Sequence, residues 1–103
     1  MHFVILGRDK PGMLETRLAT RPAHRDYIHG AGLPAELVLG GPLADESGAM
    51  NGTMLIVEAP DRQAAEKFAA NDPYAKAGIF ASVEILPFHA AFADALAQLQ
   101  ASK

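Results

Sequence analysis

The chain contains four short apolar runs and two segments of helical hydrophobic spacing, and Gly or Pro residues separate most of them. The runs are brief and rich in aliphatic and β-branched residues, which predicts β-strands. The predicted strands span residues 3–6, 36–40, 53–58 and 79–86. The first and third are apolar on both sides, which is typical of strands buried on both faces. Gly40-Gly41-Pro42-Leu43 is expected to end the second strand, and Pro87 the fourth.

The first helical segment, residues 13–31, contains Pro22, and this residue leaves two interpretations open. A continuous helix would kink near Thr20, because proline lacks an N–H and its ring collides with the preceding turn. Alternatively, Thr20 caps a new helix that has Pro22 in its first turn, where the missing N–H costs nothing. In both cases His24 lies in a helix that ends near Gly30-Ala31-Gly32.

The second helical segment begins at Asp61, a good N-cap residue, and ends at Asn71. Its apolar stripe consists of Ala64, Ala65, Phe68 and Ala69. Asp72 and Pro73 then suit the N-cap and the first position of a helix, which predicts one more short turn that ends at Gly78.

The order of elements is strand, helix, strand, strand, helix, strand, which is the split βαβ pattern of ferredoxin-like α+β folds. An Ala-rich stretch from Phe88 onward predicts a C-terminal helix with Phe92, Leu96 and Leu99 on one stripe. The prediction is therefore one domain over residues 1–103, with a core of residues 1–88 and a helical tail of residues 89–103.

The predicted sheet has one face that the helices leave uncovered. Its strands lack the polar alternation expected of a face in contact with water, so this face needs a cover. A second copy of the chain, packed face to face, is the simplest cover and would make a dimeric α+β barrel. We therefore expect a homodimer, or a larger assembly built on it.

Composition and charge exclude several classes of protein. The net charge is -3 without a cluster of Lys or Arg, which argues against a nucleic-acid partner. The absence of Cys excludes disulfides, thiolate nucleophiles and Cys-ligated zinc. The first apolar run is too short for a signal peptide, and no stretch approaches the roughly 20 apolar residues of a membrane span. We expect a cytoplasmic protein that does not bind membranes.

His24 and Asp72 are the first candidates for chemistry. An Asp carboxylate can orient an imidazole and stabilise its charged form, which suits general acid–base catalysis near neutral pH. A capping Asp72 would hold backbone N–H groups with one oxygen and keep the other for His24. The alternative is that Asp72 is only an N-cap and His24 only a histidine on a helix surface.

Two arginines precede His24 at helical spacing. Arg17, Arg21 and His24 lie on one face if the helix is continuous, where they could hold a carboxylate or a phenolate. The alternative is a solvated face in which the arginines pair with Glu15 or Asp26.

Other polar residues give weaker signals. Tyr74 could hydrogen-bond a ligand, although an aromatic residue in a tight turn more often serves packing. His24 and His29 are five residues apart and do not share a helix face, which argues against a metal site. We expect neither a metal nor a cofactor.

Several of these stretches together resemble the YCII-like family of small α+β-barrel proteins. The matching pieces are Arg21-Pro22-Ala23-His24, Gly40-Gly41-Pro42-Leu43, Asn71-Asp72-Pro73-Tyr74, Ala77-Gly78-Ile79-Phe80 and Val83-Glu84-Ile85-Leu86-Pro87-Phe88. The resemblance extends from Met1 to about Phe88 and implies a ferredoxin-like dimer whose pocket holds a His–Asp active site. Residue by residue, that site falls on His24 and Asp72. Related barrels include isomerases, dehalogenating enzymes and monooxygenases of small, often aromatic, molecules.

Two functional hypotheses result. The first is a cofactor-independent enzyme of lyase, isomerase or hydrolase type. In it, His24 is the general acid/base, Asp72 orients it, and Arg17, Arg21 and Tyr74 bind the substrate. The second is a non-catalytic dimeric module that binds a small molecule or another protein.

Overall fold

The computed structural model describes residues 1–96 and residue 99. Its strands are β1 (His2–Asp9), β2 (Glu36–Ala44), β3 (Met50–Glu58) and β4 (Phe80–Phe88), and its helices are α1 (Leu14–Ile28), α2 (Arg62–Ala70) and α3 (Pro73–Lys76). The strands form one sheet in the order β2-β3-β1-β4, and every neighbouring pair is antiparallel. This arrangement confirms the predicted ferredoxin-like split βαβ fold.

Both edge strands continue through residues that were expected to end them. β2 includes Gly40-Gly41-Pro42 and runs to Ala44, and β4 includes Pro87 and runs to Phe88. The predicted ends at Gly40 and Leu86 are therefore wrong. An edge strand has one side without a partner, so it accommodates a residue that cannot donate a backbone hydrogen bond.

Helix α1 is continuous from Leu14 to Ile28, with Pro22 inside it, so no new helix begins at Thr20. It ends at Ile28, earlier than the glycines at 30 and 32 predicted. Pro22 is exposed. Because the helix is continuous, Arg17, Thr20 and Arg21 lie on the same face as His24. The inward stripe consists of Arg17, Thr20, Arg21, His24, Tyr27 and Ile28, which are buried or half-buried.

The two shorter helices are set by local capping, as predicted. The Asp61 carboxylate accepts the N–H of Ala64 at 2.8 Å and begins α2, and Asn71 caps its end. Asp72 begins α3 with Pro73 at its first position, and Gly78 follows the helix with a φ of 71°. This positive φ suits a residue without a Cβ. The caps fix Asp72 within a few residues of the apolar stripe of α2.

The hydrophobic core lies between the helices and one face of the sheet. Because side chains alternate along a strand, Phe3, Ile5, Gly7 and Asp9 all point to this face of β1. A Cβ on Gly7 would lie 2.8 Å from the ring of Phe80, so glycine makes room for that ring. The central residues of the core are Phe3, Ile5, Leu55, Val57, Ala65, Phe68 and Ile85.

The opposite face of the sheet is also apolar, as predicted. Register pairs Val4 with Ile56 and Leu6 with Met54, and these four side chains are half-buried in the single chain. Leu86 extends the patch on β4 with 43% of its surface exposed. The central strands are therefore apolar on both faces, but only the face toward the helices is fully buried.

The predicted tail helix does not begin at Phe88, which belongs to β4, and residues 89–93 are not helical. The remainder of that prediction includes residues 97, 98 and 100–103, which lie outside the described residues. Over residues 1–96 and 99, no helix is long and apolar enough to cross a membrane.

Candidate active site

His24 and Asp72 meet where α1 packs against α3. The Nδ1 atom of His24 lies 2.8 Å from Oδ1 and 3.0 Å from Oδ2 of Asp72. Both side chains are buried, with 8% and 5% of their surface exposed. Because the carboxylate only accepts hydrogen bonds, the ring nitrogen that faces it carries the hydrogen.

The carboxylate of Asp72 is fixed from its other side by the helix that it caps. Its Oδ1 accepts the backbone N–H of Tyr74 at 2.9 Å. The oxygen that does not cap α3, Oδ2, faces His24 as predicted, at 3.0 Å from Nδ1. The capping oxygen, Oδ1, also contacts the ring.

The second ring nitrogen of His24, Nε2, makes no hydrogen bond with any residue that the structure describes. Within the same residues, no fully buried side-chain nitrogen or oxygen lacks a partner. Nε2 therefore keeps some contact with solvent. With the hydrogen of the neutral ring on Nδ1, the lone pair of Nε2 is available to accept a proton from a ligand.

The ring of Tyr74 stacks on the ring of His24, with centroids 3.9 Å apart and planes at 13°. The guanidinium of Arg17 lies 4.4 Å from the centroid of the same tyrosine ring. Tyr74 is 2% exposed, and the ring of Phe80 meets it edge-on at 6.2 Å. These contacts pack the ring of Tyr74 beside His24, and the binding of a ligand by its hydroxyl stays a prediction.

Arg17 is buried, with 1% of its surface exposed, so the interpretation of a solvated arginine paired with Glu15 or Asp26 is wrong for it. Its Nε and Nη2 donate to the two oxygens of Asp9 at 2.7 and 2.8 Å, and Nη2 also donates to Thr53 at 2.7 Å. Burial lowers the pKa of Arg17, but the hydrogen bond and charge of Asp9 outweigh this and raise it above its usual value.

Arg21 occupies the same face of α1 and is half-buried. Its positive charge, like that of Arg17, favours the ionised form of Tyr74 and so opposes the rise in pKa that burial causes. An open groove of about 670 Å³ runs along α1 beside it, and the described residues that line it do not include His24 or Asp72. They are Leu18, Arg21, Pro22, Arg25, Asp26 and His29.

Asp9 and Thr53 were not among the residues predicted to form the site. The first strand was predicted to end at residue 6, whereas β1 continues to Asp9, which faces the helices like Phe3 and Ile5. Extending the alternation of β1 by three residues would have placed this carboxylate on the buried side. A buried arginine needs such a partner, because an unpaired charge inside a protein is strongly unfavourable.

The described residues contain no cluster of three or more His, Asp or Glu side chains that could hold a metal ion. His29 lies apart from His24 and contacts the backbone oxygen of Arg25 through Nδ1 at 2.8 Å. The chemistry that Nε2 of His24 offers is proton transfer, and Arg21, three residues earlier on α1, is half-buried.

The two tyrosines of the chain are expected to resist ionisation in the folded protein. Burial raises the pKa of Tyr27 and of Tyr74, and the negative charge of Asp72 adds to the effect on both. The chain contains no Trp, so the near-ultraviolet absorbance of tyrosinate reports these two residues alone. We expect little tyrosinate in the folded protein at about pH 10, where both side chains titrate in urea.

The same shift predicts a loss of stability at high pH. The folded state keeps protons that the unfolded chain releases above about pH 10, so the free energy of unfolding falls as the pH rises through that value. Tyr27→Phe and Tyr74→Phe assign the contribution of each residue. A native titration with the midpoint of the urea-unfolded chain would contradict the burial of both phenols.

Comparison with known proteins places this chain in a family. Residues 1–89 match the YCII-related domain. A protein of Haemophilus influenzae named "Uncharacterized protein" is 35% identical over 98 residues, which cover 89% of this chain and 100% of that protein. Protein YciI of Escherichia coli is 34% identical over the same coverage.

A solved structure is similar to this chain as well. It is 5-chloro-2-hydroxyhydroquinone dehydrochlorinase (TftG) from Burkholderia phenoliruptrix, in complex with 2,5-dihydroxybenzoquinone. The TM-score is 0.75 at 33% sequence identity, over 86% of this chain and 94% of TftG. The residues matched by the family and the coverage of these relatives both span most of the sequence. The chain therefore belongs to the YCII-related domain family.

Proposed function

We propose that this protein is a small-molecule lyase in which His24 is the general acid/base and Asp72 its orienting partner. The observation that carries the proposal is the pairing of a buried Nδ1–Asp72 contact with an Nε2 that still meets solvent. Geometry of this kind holds the neutral ring in the tautomer that accepts a proton on Nε2.

Among the lyase, isomerase and hydrolase reactions that such a pair can serve, elimination is favoured by the similarity to TftG, a dehydrochlorinase. In the keto tautomer of a chlorinated hydroquinone, a hydroxyl proton has moved to the carbon that bears chlorine. Nε2 accepts a proton from a remaining hydroxyl, and the electron pair of the broken O–H bond forms a C=O π bond and displaces the ring π electrons toward that carbon. Chloride, or another leaving group, departs with the electron pair of its bond to carbon. The net change is loss of HCl, so neither an oxidant nor a reductant is needed.

Arg21 is the residue that we propose to bind an anionic group of the substrate. It lies one helical turn before His24 and is half-buried, and its charge acts on Tyr74, whose ring stacks on that of His24. A phenolate or carboxylate would suit its planar set of donors. Arg17 is less suited to this role, because Asp9 and Thr53 already occupy its Nε and Nη2 donors.

Chloride release from chlorinated hydroquinones tests the proposal, with 5-chloro-2-hydroxyhydroquinone as the first probe. We expect His24→Gln to lower turnover by about 10²- to 10⁴-fold, the usual contribution of a general base. His29→Gln is the control, because this histidine follows the last residue of α1, is exposed, and contacts the backbone of Arg25 instead of Asp72. Equal turnover by the wild type and His24→Gln would refute a catalytic role for this ring.

A non-catalytic binding module is the second candidate, favoured by the burial of the His24–Asp72 pair and by an open groove beside Arg21 whose lining includes neither residue. It predicts that 2,5-dihydroxybenzoquinone binds to the protein while no chlorinated hydroquinone is turned over. It also predicts that the only effect of His24→Gln is weaker binding of this quinone. Turnover that depends on His24 would exclude this candidate.

We also propose that the protein is a homodimer that buries the apolar sheet face of Val4, Leu6, Met54, Ile56 and Leu86. A contiguous apolar patch of this kind is unfavourable in contact with water. Light scattering at micromolar concentration is expected to give the mass of a dimer.

Leu86→Lys is expected to shift this dimer toward monomer, because it places a charge within the apolar face. Leu18→Lys is the matched control, since Leu18 is exposed to a similar extent (48% against 43%) but lies on α1. A wild-type monomer at micromolar concentration, or equal effects of the two substitutions, would contradict the proposed interface.

A further inference from the structure

Three planar groups are stacked along the inward stripe of α1: the ring of His24, the ring of Tyr74 and the guanidinium of Arg17. The tyrosine centroid is 3.9 Å from the histidine centroid and 4.4 Å from the guanidinium carbon. Two planar groups at these distances cannot share one face of a ring. Arg17 and His24 are also seven residues apart on α1, about 10 Å along its axis, so they approach Tyr74 from opposite sides.

Arg17, at one end of this stack, is hydrogen-bonded to the sheet. Asp9, at the end of β1, accepts two hydrogen bonds from Arg17, and Thr53 of β3 accepts a third. Such a bidentate pair fixes both the position and the plane of a guanidinium. With 1% of its surface exposed, Arg17 is not available to a ligand in the way that Arg21 is.

His24 needs more than Asp72 to hold its ring in one orientation. Both contacts with the carboxylate involve the same ring atom, Nδ1. A ring held at one atom can still tilt about that point, and tilting moves Nε2, the atom on the far side. The nearly parallel stack with Tyr74, at 13°, opposes this tilt.

We propose that Arg17 is a positioning residue of this site: anchored by Asp9 and Thr53, it fixes the plane of Tyr74, and Tyr74 fixes the plane of His24. This assigns to Arg17 and Tyr74 a role different from the substrate binding that the sequence suggested. The positioning of the His24 ring by Arg17 does not require that the protein is an enzyme, whereas an effect of Arg17 on rate rests on the proposed function.

Arg17→Lys tests the proposal, because lysine keeps a positive charge beside Asp9 but has no planar group to stack on Tyr74. The readout is the NMR chemical shifts of the His24 ring protons, which the stacked tyrosine ring displaces. We expect Arg17→Lys to move these shifts toward the values of an unstacked histidine. Thr53→Val removes one of the three anchoring hydrogen bonds and is expected to move the His24 shifts in the same direction by a smaller amount. It is the test variant if Arg17→Lys does not fold.

Tyr74→Leu separates positioning from general loosening of the fold. If Arg17 acts through the tyrosine ring, Arg17→Lys has no further effect on the His24 shifts once that ring is gone. Arg62→Lys, on the exposed face of α2, is the control that should leave the shifts unchanged. Unmoved His24 shifts in Arg17→Lys, or an equal effect of Arg17→Lys with and without Tyr74, would overturn the proposal.

With a chlorinated hydroquinone that the wild type turns over, Arg17→Lys is expected to lower kcat by about 100-fold and to change KM less, as for a misplaced catalytic group. The shifts and the rates separate two failures. Shifts that follow the prediction in a protein without turnover would refute the proposed lyase function and leave the positioning role intact. Turnover that depends on His24, together with His24 ring-proton shifts that Arg17→Lys leaves unchanged, would refute the positioning role alone.

Discussion

Asp72→Asn is expected to lower turnover by about 10³- to 10⁴-fold, the cost of placing a catalytic histidine in the wrong tautomer. The amide is close in shape to the carboxylate, and asparagine is as good an N-cap as aspartate, so α3 should still form. The carboxylate, however, only accepts hydrogen bonds, whereas the amide NH₂ donates. With that donor against Nδ1, the hydrogen of the neutral His24 ring moves to Nε2, which then has no lone pair for a substrate proton.

The chain offers a matched control for this substitution. Asp61 caps α2 as Asp72 caps α3, with an accepted hydrogen bond from Ala64 at 2.8 Å, but it is exposed and faces no histidine. Asp61→Asn should therefore keep wild-type turnover. The ratio of kcat/KM between the two variants measures the role of Asp72 beyond capping, and equal values would show that capping is its whole contribution.

Arg17→Met is expected to lower the free energy of unfolding by about 3–5 kcal/mol, the cost of removing one partner from a buried ion pair. The side chain of Asp9 is 5% exposed and would remain without its two charged hydrogen bonds. Restoring neutrality with Asp9→Asn in the same protein should recover part of the loss, because no buried charge is then unpaired. Urea unfolding measures these changes.

Arg62→Met is the control for the stability measurement. Arg62 pairs with Glu66 across one turn of α2 at 3.6 Å, and both side chains are 53% exposed. Such a pair contributes a few tenths of a kcal/mol, so this variant should unfold close to the wild type. Similar losses for Arg17→Met and Arg62→Met would mean that the Asp9–Arg17 pair is solvated in solution.

The parts of the fold that local chemistry determines could be predicted from the sequence. Asp61 and Asp72 begin helices because their carboxylates accept backbone N–H groups, and Gly78 follows α3 with a positive φ. The meeting of His24 with Asp72 needed more, because the residues are 48 apart and only the fold brings them together. The family resemblance supplied that expectation, whereas spacing alone left it open.

The errors share a physical reason, since each depends on what the rest of the fold places beside a residue. Pro42 and Pro87 are compatible with strands because β2 and β4 are the edges of the sheet. Neither interpretation of Arg17, as a ligand-binding residue or as a solvated side chain, included Asp9, because this partner lies in another element. The inward stripe of α1 is polar over its first half, so a search for apolar periodicity could not identify its buried face.

The proposed role of His24 requires one tautomer of its ring, which nitrogen NMR of the imidazole observes directly. His24→Gln assigns its signals among those of the four histidines. We predict that the neutral ring carries its hydrogen on Nδ1, and that 2,5-dihydroxybenzoquinone displaces the Nε2 resonance while Nδ1 stays bonded to Asp72. A neutral ring with its hydrogen on Nε2, or bound quinone that leaves Nε2 unchanged, would contradict the proposed role of His24.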